Sequence, residues 1–417
     1  MQAGGDDVSS QRSASAALRA LIVTYEYAAS RFSGNGVYAG VIARALRAAG
    51  FSVRVAAARP SAHSGSADDD AEVLYVVVPA RLWGSLSSRH SAHAEFSVGL
   101  QELAKNSKLG ADLDLVLFVD WHASPDAIKA VTKATSPRRL GYLNFRVFSR
   151  SGDDEDRAFY EAREGTMLRC CNVAVALNQS DLAHLKALPG QGPLPAMSVL
   201  FPPVRRDILE AAQDGIDAAR RRLVLCAVRL SREKEAHRFV EAVCEPSTKL
   251  AMVQAGWVPA VIASPVAASS EYAAPLLARL RAEWGGSARV VQEQLDAAGM
   301  AALFECSALN VHPPLADAFG MTCLEAAACG TPTLLHGGRD DAGERLVGAG
   351  DALQNGVFTW GEEAGVVTHA GADVGQAIAT IAAMGCRERE GTIQRAQQFA
   401  RFWDEAAFRD CLKTIID

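Results

Sequence analysis

Short runs of apolar and β-branched residues alternate along this chain with amphipathic stretches of helical period. Leu18 to Tyr25 (LRALIVTY) predicts a first strand, FSVRVAAA a second and EVLYVVVP a third. Leu113 to Asp120 (LDLVLFVD) is almost continuously apolar, as a central parallel strand buried on both faces would be. RRLGYLNFRV and NVAVALN extend the series, and the segment from Gly36 to a stop at Gly50 reads as the first helix. The second half repeats the alternation. RRLVLCAV, TKLAMVQAG, ARVVQEQ, ALNVHPP and TPTLLHG read as strands. Helices are expected over Ala236 to Cys244, Tyr272 to Trp284, Asp296 to Cys306 and Gly320 to Cys329, with a long one from Arg387 to Ile416. Strand and helix in strict alternation predict parallel sheets covered by helices on both faces.

The chain has 417 residues, too many for one ordinary core. Pro202 and Pro203 interrupt a Pro-rich stretch at mid-chain, which places a boundary near Arg205. The expectation is an α/β protein of two tandem Rossmann-like domains, over residues 18–205 and 206–395, with a closing helix over 396–417 packing back toward the first domain. Met1 to Ala17 reads as a disordered tail, and Ser61 to Asp70 as a polar surface loop. The natural ligand site of such a pair is the cleft faced by the carboxyl ends of both sheets.

Charge narrows the function. The formal net charge is -6, which argues against a broad grip on nucleic acid. No stretch reaches the roughly 18 apolar residues that a membrane span needs, and the N-terminus has acids where a signal peptide needs bases. The nine cysteines show no metal-finger spacing and read as buried thiols. A cytoplasmic enzyme with no metal site is the expectation.

The segment ALNVHPPLADAFGMTCLEAAACGTPTLLHGG is the most informative. A strand runs into a loop, and a helix opens at Gly320. Glycine lets the backbone approach a ligand closely. The N–H groups of Gly320, Met321 and Thr322 would lie at the helix N-terminus, where a phosphate binds readily. Glu325 on the second turn could accept from a ribose diol, and Asp317 could fix a sugar hydroxyl. By itself the pattern fits an ordinary αβ unit equally well.

DAFGMTCLEAAACGTPTLL resembles the donor signature of a large retaining glycosyltransferase family of the GT-B fold, which includes sucrose synthases, sucrose-phosphate synthases and glycogen synthases. The family pattern is Glu, seven residues, Glu. Here the first acid is Asp317, whose carboxylate falls about 1.5 Å short for the same backbone. LCAVRLSREKEAHRFVEAV resembles the family's Gly-Arg-Leu, three residues, Lys, with Val228 in place of the glycine and Arg229 and Lys234 in register. The resemblance implies that this pair neutralises a leaving diphosphate without metal. FVDWHASPDAIKA resembles the Asp-Trp-His of glycogen synthases, so His122 would contact the transferred sugar. Gly34 and Gly36 resemble the family's flexible loop beside the donor phosphates. The turn of Gln292, Glu293 and Gln294 is a candidate for the base. Ser180 resembles a helix cap. Arg139, Arg146 and Arg150 could bind an anionic acceptor but read more simply as solvated charge.

The resemblance implies a hexose transferred from a nucleotide-sugar co-substrate, UDP-glucose first and GDP-mannose second, to an unidentified acceptor. The departures at Asp317 and Val228 keep a catalytically inactive nucleotide-sugar-binding subunit as an alternative. An NADP-dependent oxidoreductase is a third reading, since Gly34, Gly36 and Ala39 fit a dinucleotide fingerprint and Arg59 could reach a 2′-phosphate. That fingerprint needs a tight turn directly after the strand, whereas Tyr25 to Ser33 intervene here.

Overall fold

A computed structural model describes residues 17–27, 34–61, 72–79, 92–150, 154–188, 192–212, 221–263, 268–293, 295–361, 369–371 and 373–416. The expected tail up to residue 16, nearly all of the Ser61 to Asp70 loop, and Gln294 lie outside the described residues.

The first sheet comprises β1 (Leu18–Thr24), β2 (Phe51–Pro60), β3 (Glu72–Val78), β4 (Leu115–Val119), β5 (Arg139–Leu143), β6 (Val173–Ala176) and β7 (Ala196–Val199). The second comprises β8 (Leu223–Cys226), β9 (Val258–Ile262), β10 (Arg289–Val291), β11 (Ser307–His312), β12 (Thr333–His336), β13 (Val357–Trp360) and β14 (His369–Gly371). Strand order is β3-β2-β1-β4-β5-β6-β7 in one and β10-β9-β8-β11-β12-β13-β14 in the other, the same permutation twice. Every pairing is parallel. The chain is therefore α/β, with two Rossmann-like halves. The order reverses between β1 and β4 and between β8 and β11, so each half presents a crevice at the carboxyl ends of those strands.

β4 shows why the apolar runs are continuous. Leu115, Leu117 and Val119 join one buried cluster, while Val116 and Phe118 join another on the opposite face. The larger cluster also takes in Phe319, Leu324 and Val347 from the second half, so the core is shared across the cleft. The C-terminal helix Glu405–Ile416 returns to the first half. Its Phe408 meets Tyr38 edge-on at 6.0 Å, and Glu405 pairs with Arg44 at 2.6 Å. Phe408, Leu412 and Ile416 are buried, each contributing roughly 1.5–3 kcal/mol.

Several expectations are corrected. TKLAMVQAG is not a strand: Pro246–Gln254 is a helix, capped by the Glu245 carboxylate accepting from Thr248 N at 2.9 Å. Proline at the first helical position favours that outcome. The strand of this unit is β9, and Pro259 is tolerated there because β10 begins opposite Ala260. The long terminal helix is two, Cys386–Phe402 and Glu405–Ile416. β7, β13 and β14 are not among the expected strands. Ser180 caps nothing; Asn178 does, its side chain accepting from Asp181 N at 2.6 Å. Cys170, Cys306 and Cys411 are exposed, unlike the remaining described thiols. Among the described residues no helix is long and apolar enough to cross a membrane.

Candidate functional site

The four strands beside the two crevices deliver the chemistry. β11 is wholly buried and ends at His312. Gly320 then adopts φ 86°, and a Cβ there would meet His312 Nε2 at 3.0 Å. Only glycine fits both demands. The helix Met321–Ala328 follows. Cys323 N–H turns back to Gly320 O at 2.9 Å, so the N–H groups of Gly320, Met321 and Thr322 precede the first helical bond and are left to solvent or a ligand.

β8 leads into Arg229 and a short turn, Arg232–Lys234. Glu235, in the left-handed region at φ 46°, accepts Leu315 N at 2.6 Å and ties this turn to the loop after β11. Lys234 Nζ thereby meets Asp317 Oδ2 at 2.7 Å, with His312 Nε2 on the same oxygen at 3.1 Å. Burial would push the Asp317 carboxyl up, but Lys234 and His312 overcome it and hold the group well below the usual carboxylate range. Burial opposes charge on His312, yet Cys323 and Asp317 prevail and push it up to about 9.

The first half supplies the facing wall. Asp120 follows β4 at φ 57°. Its Oδ1 accepts from Phe145 N at 2.6 Å and Arg146 N at 3.3 Å, and its Oδ2 accepts from Asn35 Nδ2 at 2.5 Å. Burial pushes its carboxyl up to about 8, against those backbone bonds. Asp120 so fixes the loop after β5 and the start of the helix Gly34–Ala48. His122 is buried, with its ring 5.0 Å from His93 and 5.2 Å from Tyr25. Burial holds it well below the ordinary imidazole value, so it is neutral, and its Nδ1 has no hydrogen-bond partner.

These groups line one cavity of about 250 Å³ between the halves. Asp317, His122, Arg229, Lys234, Gly320, Met321, Thr322 and Gly34 all border it. Gly34 lies close to both halves: a Cβ there would meet Phe145 Cζ at 3.0 Å and Met321 Sδ at 3.5 Å. Two expected residues are absent from the lining. Gly36 is buried within its helix. Glu325 is turned to Arg205, 3.5 Å away, and burial pushes its carboxyl up to about 7. Gln292 and Glu293 do not border the cavity either.

Sequence reasoning missed several lining groups. Glu233 bridges the cleft, its Oε1 2.5 Å from Arg146 Nη1 and its Oε2 3.2 Å from Arg229 Nη2. Arg146 is thus a cavity residue, whereas Arg150 is engaged with Asp181 and Ser180. Ser180 in turn reaches Asp340 across the cleft at 2.5 Å, and Asn178 Nδ2 reaches Ala318 O at 2.6 Å. Arg139 opens β5 at the opposite edge. His312 stands at the carboxyl end of β11, the edge that the expected cleft faces, and is legible from that placement. Among the described residues no three His, Cys, Asp or Glu side chains converge on a possible metal position. The dinucleotide reading loses its turn: β1 ends at Thr24, the helix opens at Gly34, and Arg59 lies over the Tyr75 ring at 4.8 Å, away from the cavity.

No protein-family model and no curated protein sequence matches this chain. Solved structures do. An Escherichia coli trehalose-6-phosphate protein bound with UDP-2-fluoro glucose is 12% identical, with TM-score 0.67 over 95% of this chain and 98% of that one. An α,α-trehalose-phosphate synthase (UDP-forming) from Burkholderia xenovorans, in complex with glucose-6-phosphate, is 16% identical, with TM-score 0.69 over 95% and 99%. A sucrose-phosphate synthase from Thermosynechococcus elongatus is 14% identical, with TM-score 0.70 over 95% and 98%. This chain has their fold, the two-Rossmann-domain glycosyltransferase fold.

Proposed function

We propose that this chain is a retaining hexosyltransferase that moves glucose from UDP-glucose to a sugar-phosphate acceptor. One observation carries the reading. Three cationic side chains, Arg146, Arg229 and Lys234, and the free amino end of a helix converge on one cavity, opposite a neutral imidazole whose Nδ1 has no partner. That set matches a diphosphate joined to a sugar. The diphosphate sits on Gly320, Met321 and Thr322, with Arg229 and Lys234 beside it. The sugar lies toward His122 and Asp317. The choice of UDP and of a phosphorylated acceptor follows the ligands and names of the structural neighbours.

In the reaction the bond from the anomeric carbon to the diphosphate oxygen breaks. The acceptor hydroxyl oxygen bonds the same face of that carbon, and its proton passes to the departing phosphate oxygen. Charge grows on the diphosphate, which Arg229, Lys234 and the helix end stabilise. No protein nucleophile is required; the walls orient both substrates. Closure of the two halves over bound substrates would exclude water from the donor. The ribose role proposed for Glu325 requires Arg205 to release it during that motion.

A non-catalytic nucleotide-sugar-binding subunit is the second reading. It is favoured by Asp317, which is held by both Lys234 and His312 instead of standing open to a sugar. The test is to incubate the chain with UDP-glucose or GDP-mannose and a panel of sugar phosphates. Nucleotide release and the anomeric proton signal of the product are then followed. Transfer with an α-linked product supports the enzyme. Tight nucleotide binding without turnover on any acceptor supports the subunit.

A further inference from the structure

We propose that His312 is a positioning residue for the donor: it takes over the Asp317 carboxylate and so lets Lys234 turn to the donor's diphosphate. This rests on the proposed function, in which Lys234 meets that diphosphate beside Arg229. In the structure the lysine is engaged elsewhere. Its Nζ donates to Asp317 Oδ2 at 2.7 Å, and His312 Nε2 lies on the same oxygen at 3.1 Å.

The two partners differ in freedom. His312 is buried at the end of β11. Its ring is wedged, since a Cβ added at Gly320 would meet Nε2 at 3.0 Å and Cys323 Sγ at 3.2 Å. Its Nδ1 is sealed and has no partner among the described residues, so the ring acts on Asp317 through Nε2. Asp317 is held by its backbone: its N–H donates to Leu346 O at 2.9 Å, and its carbonyl accepts from Gly348 N at 3.2 Å. Lys234 instead ends the turn Arg232–Lys234 on a flexible stem, with its side chain 24% exposed at the cavity. The histidine and the carboxylate are therefore the fixed pair, and the lysine is the group that can move. With no other cation beside it, a carboxylate this deep would hold the lysine fast, because stripping one partner from a buried pair strands the remaining charge. His312 removes that obstacle. Burial opposes a charge on its ring, but Cys323 and Asp317 outweigh burial and push it up to about 9, so the ring is protonated at neutral pH. Lys234 then leaves a paired carboxylate behind and brings its charge to the diphosphate.

The test titrates UDP, which carries the diphosphate without the sugar, into the full chain and into His312→Gln, Asp317→Asn and the double variant. Glutamine can still donate to Asp317 but is uncharged, so Lys234 becomes the sole cation on that carboxylate. His312→Gln should weaken UDP binding by about tenfold or more. Adding Asp317→Asn removes the charge that holds the lysine and returns the cluster to its original net charge. The double variant should therefore bind UDP within about threefold of the wild type. A histidine that only supports the fold predicts no such restoration, since the second substitution removes a further contact. Should His312→Gln fail to fold, Asp317→Asn alone carries the test: it frees Lys234 outright and should bind UDP at least as tightly as the wild type. Wild-type binding that His312→Gln leaves unchanged, a loss that Asp317→Asn does not restore, or a tenfold loss in Asp317→Asn alone overturns the role of His312 and leaves the donor reading standing. No UDP binding by the wild type removes the donor reading itself, and the role of His312 with it.

Discussion

Replacing Lys234 with alanine separates two roles that its position combines. The first is structural. Lys234 Nζ lies 2.7 Å from Asp317, and the lysine side chain is 24% exposed, the carboxylate 10%. A pair at that depth stands between exposed bridges, worth about 0–1 kcal/mol, and buried ones, where removing a partner costs about 3–5 kcal/mol. His312 remains on the same oxygen at 3.1 Å and limits the loss. The expected destabilisation is about 1–3 kcal/mol, which for a domain of this size lowers the melting temperature by roughly 2–10 °C. The second role is catalytic. A fixed cation beside a leaving diphosphate acts on charge that grows in the transition state, worth about a hundredfold or more in turnover. The assay is nucleotide release at saturating UDP-glucose, well below the variant's melting point, with Lys234→Arg as the charge-preserving control. A loss of a hundredfold or more in a folded protein, partly restored by arginine, supports the role. Turnover within a few-fold of the parent at saturating donor refutes it, however far the melting point moves.

Further outcomes follow from the same geometry. Glu233 neutralises Arg146 and Arg229 and repels an incoming diphosphate. Glu233→Gln should therefore tighten UDP binding by about three- to tenfold in calorimetry, and weaker binding would contradict that. Gly320→Ala forces a Cβ onto His312 at a φ of 86°. It should lower stability by about 1–3 kcal/mol and abolish UDP binding, and a variant that still binds UDP normally would remove Gly320 from the site. His312 is pushed up to about 9 in the folded chain, above its ordinary value. Its contribution to stability is full below about pH 6.5 and is lost as the pH rises through about 9. Denaturation curves of wild type and His312→Gln should converge over that window, and parallel curves would exclude a charged His312.

Much of this was legible along the chain. β1, β4, β8 and β11 are buried, mostly apolar strands, and the groups that follow them fall at the switch points because parallel topology puts them there. Gly320, Lys234 and Asp317 were readable from local motifs, and the structure brings them together across 83 positions between Lys234 and Asp317. Other features depend on distant partners. Nothing near Glu325 announces that Arg205, from the segment between the sheets, turns its carboxylate away from the cavity. Arg146 reads as surface charge until Glu233 is placed opposite it. In the helix Pro246–Gln254, LAMV is apolar in either conformation, and the deciding signal lies in Glu245 and Pro246.

The central claim is that a diphosphate rests on the Gly320–Thr322 backbone between Arg229 and Lys234. Calorimetric titration of UDP with a chelator present tests it most directly. The account predicts 1:1 binding to the wild-type chain, lost in the Arg229→Ala, Lys234→Ala double variant. No binding to the wild type, or equal binding to both, would contradict it.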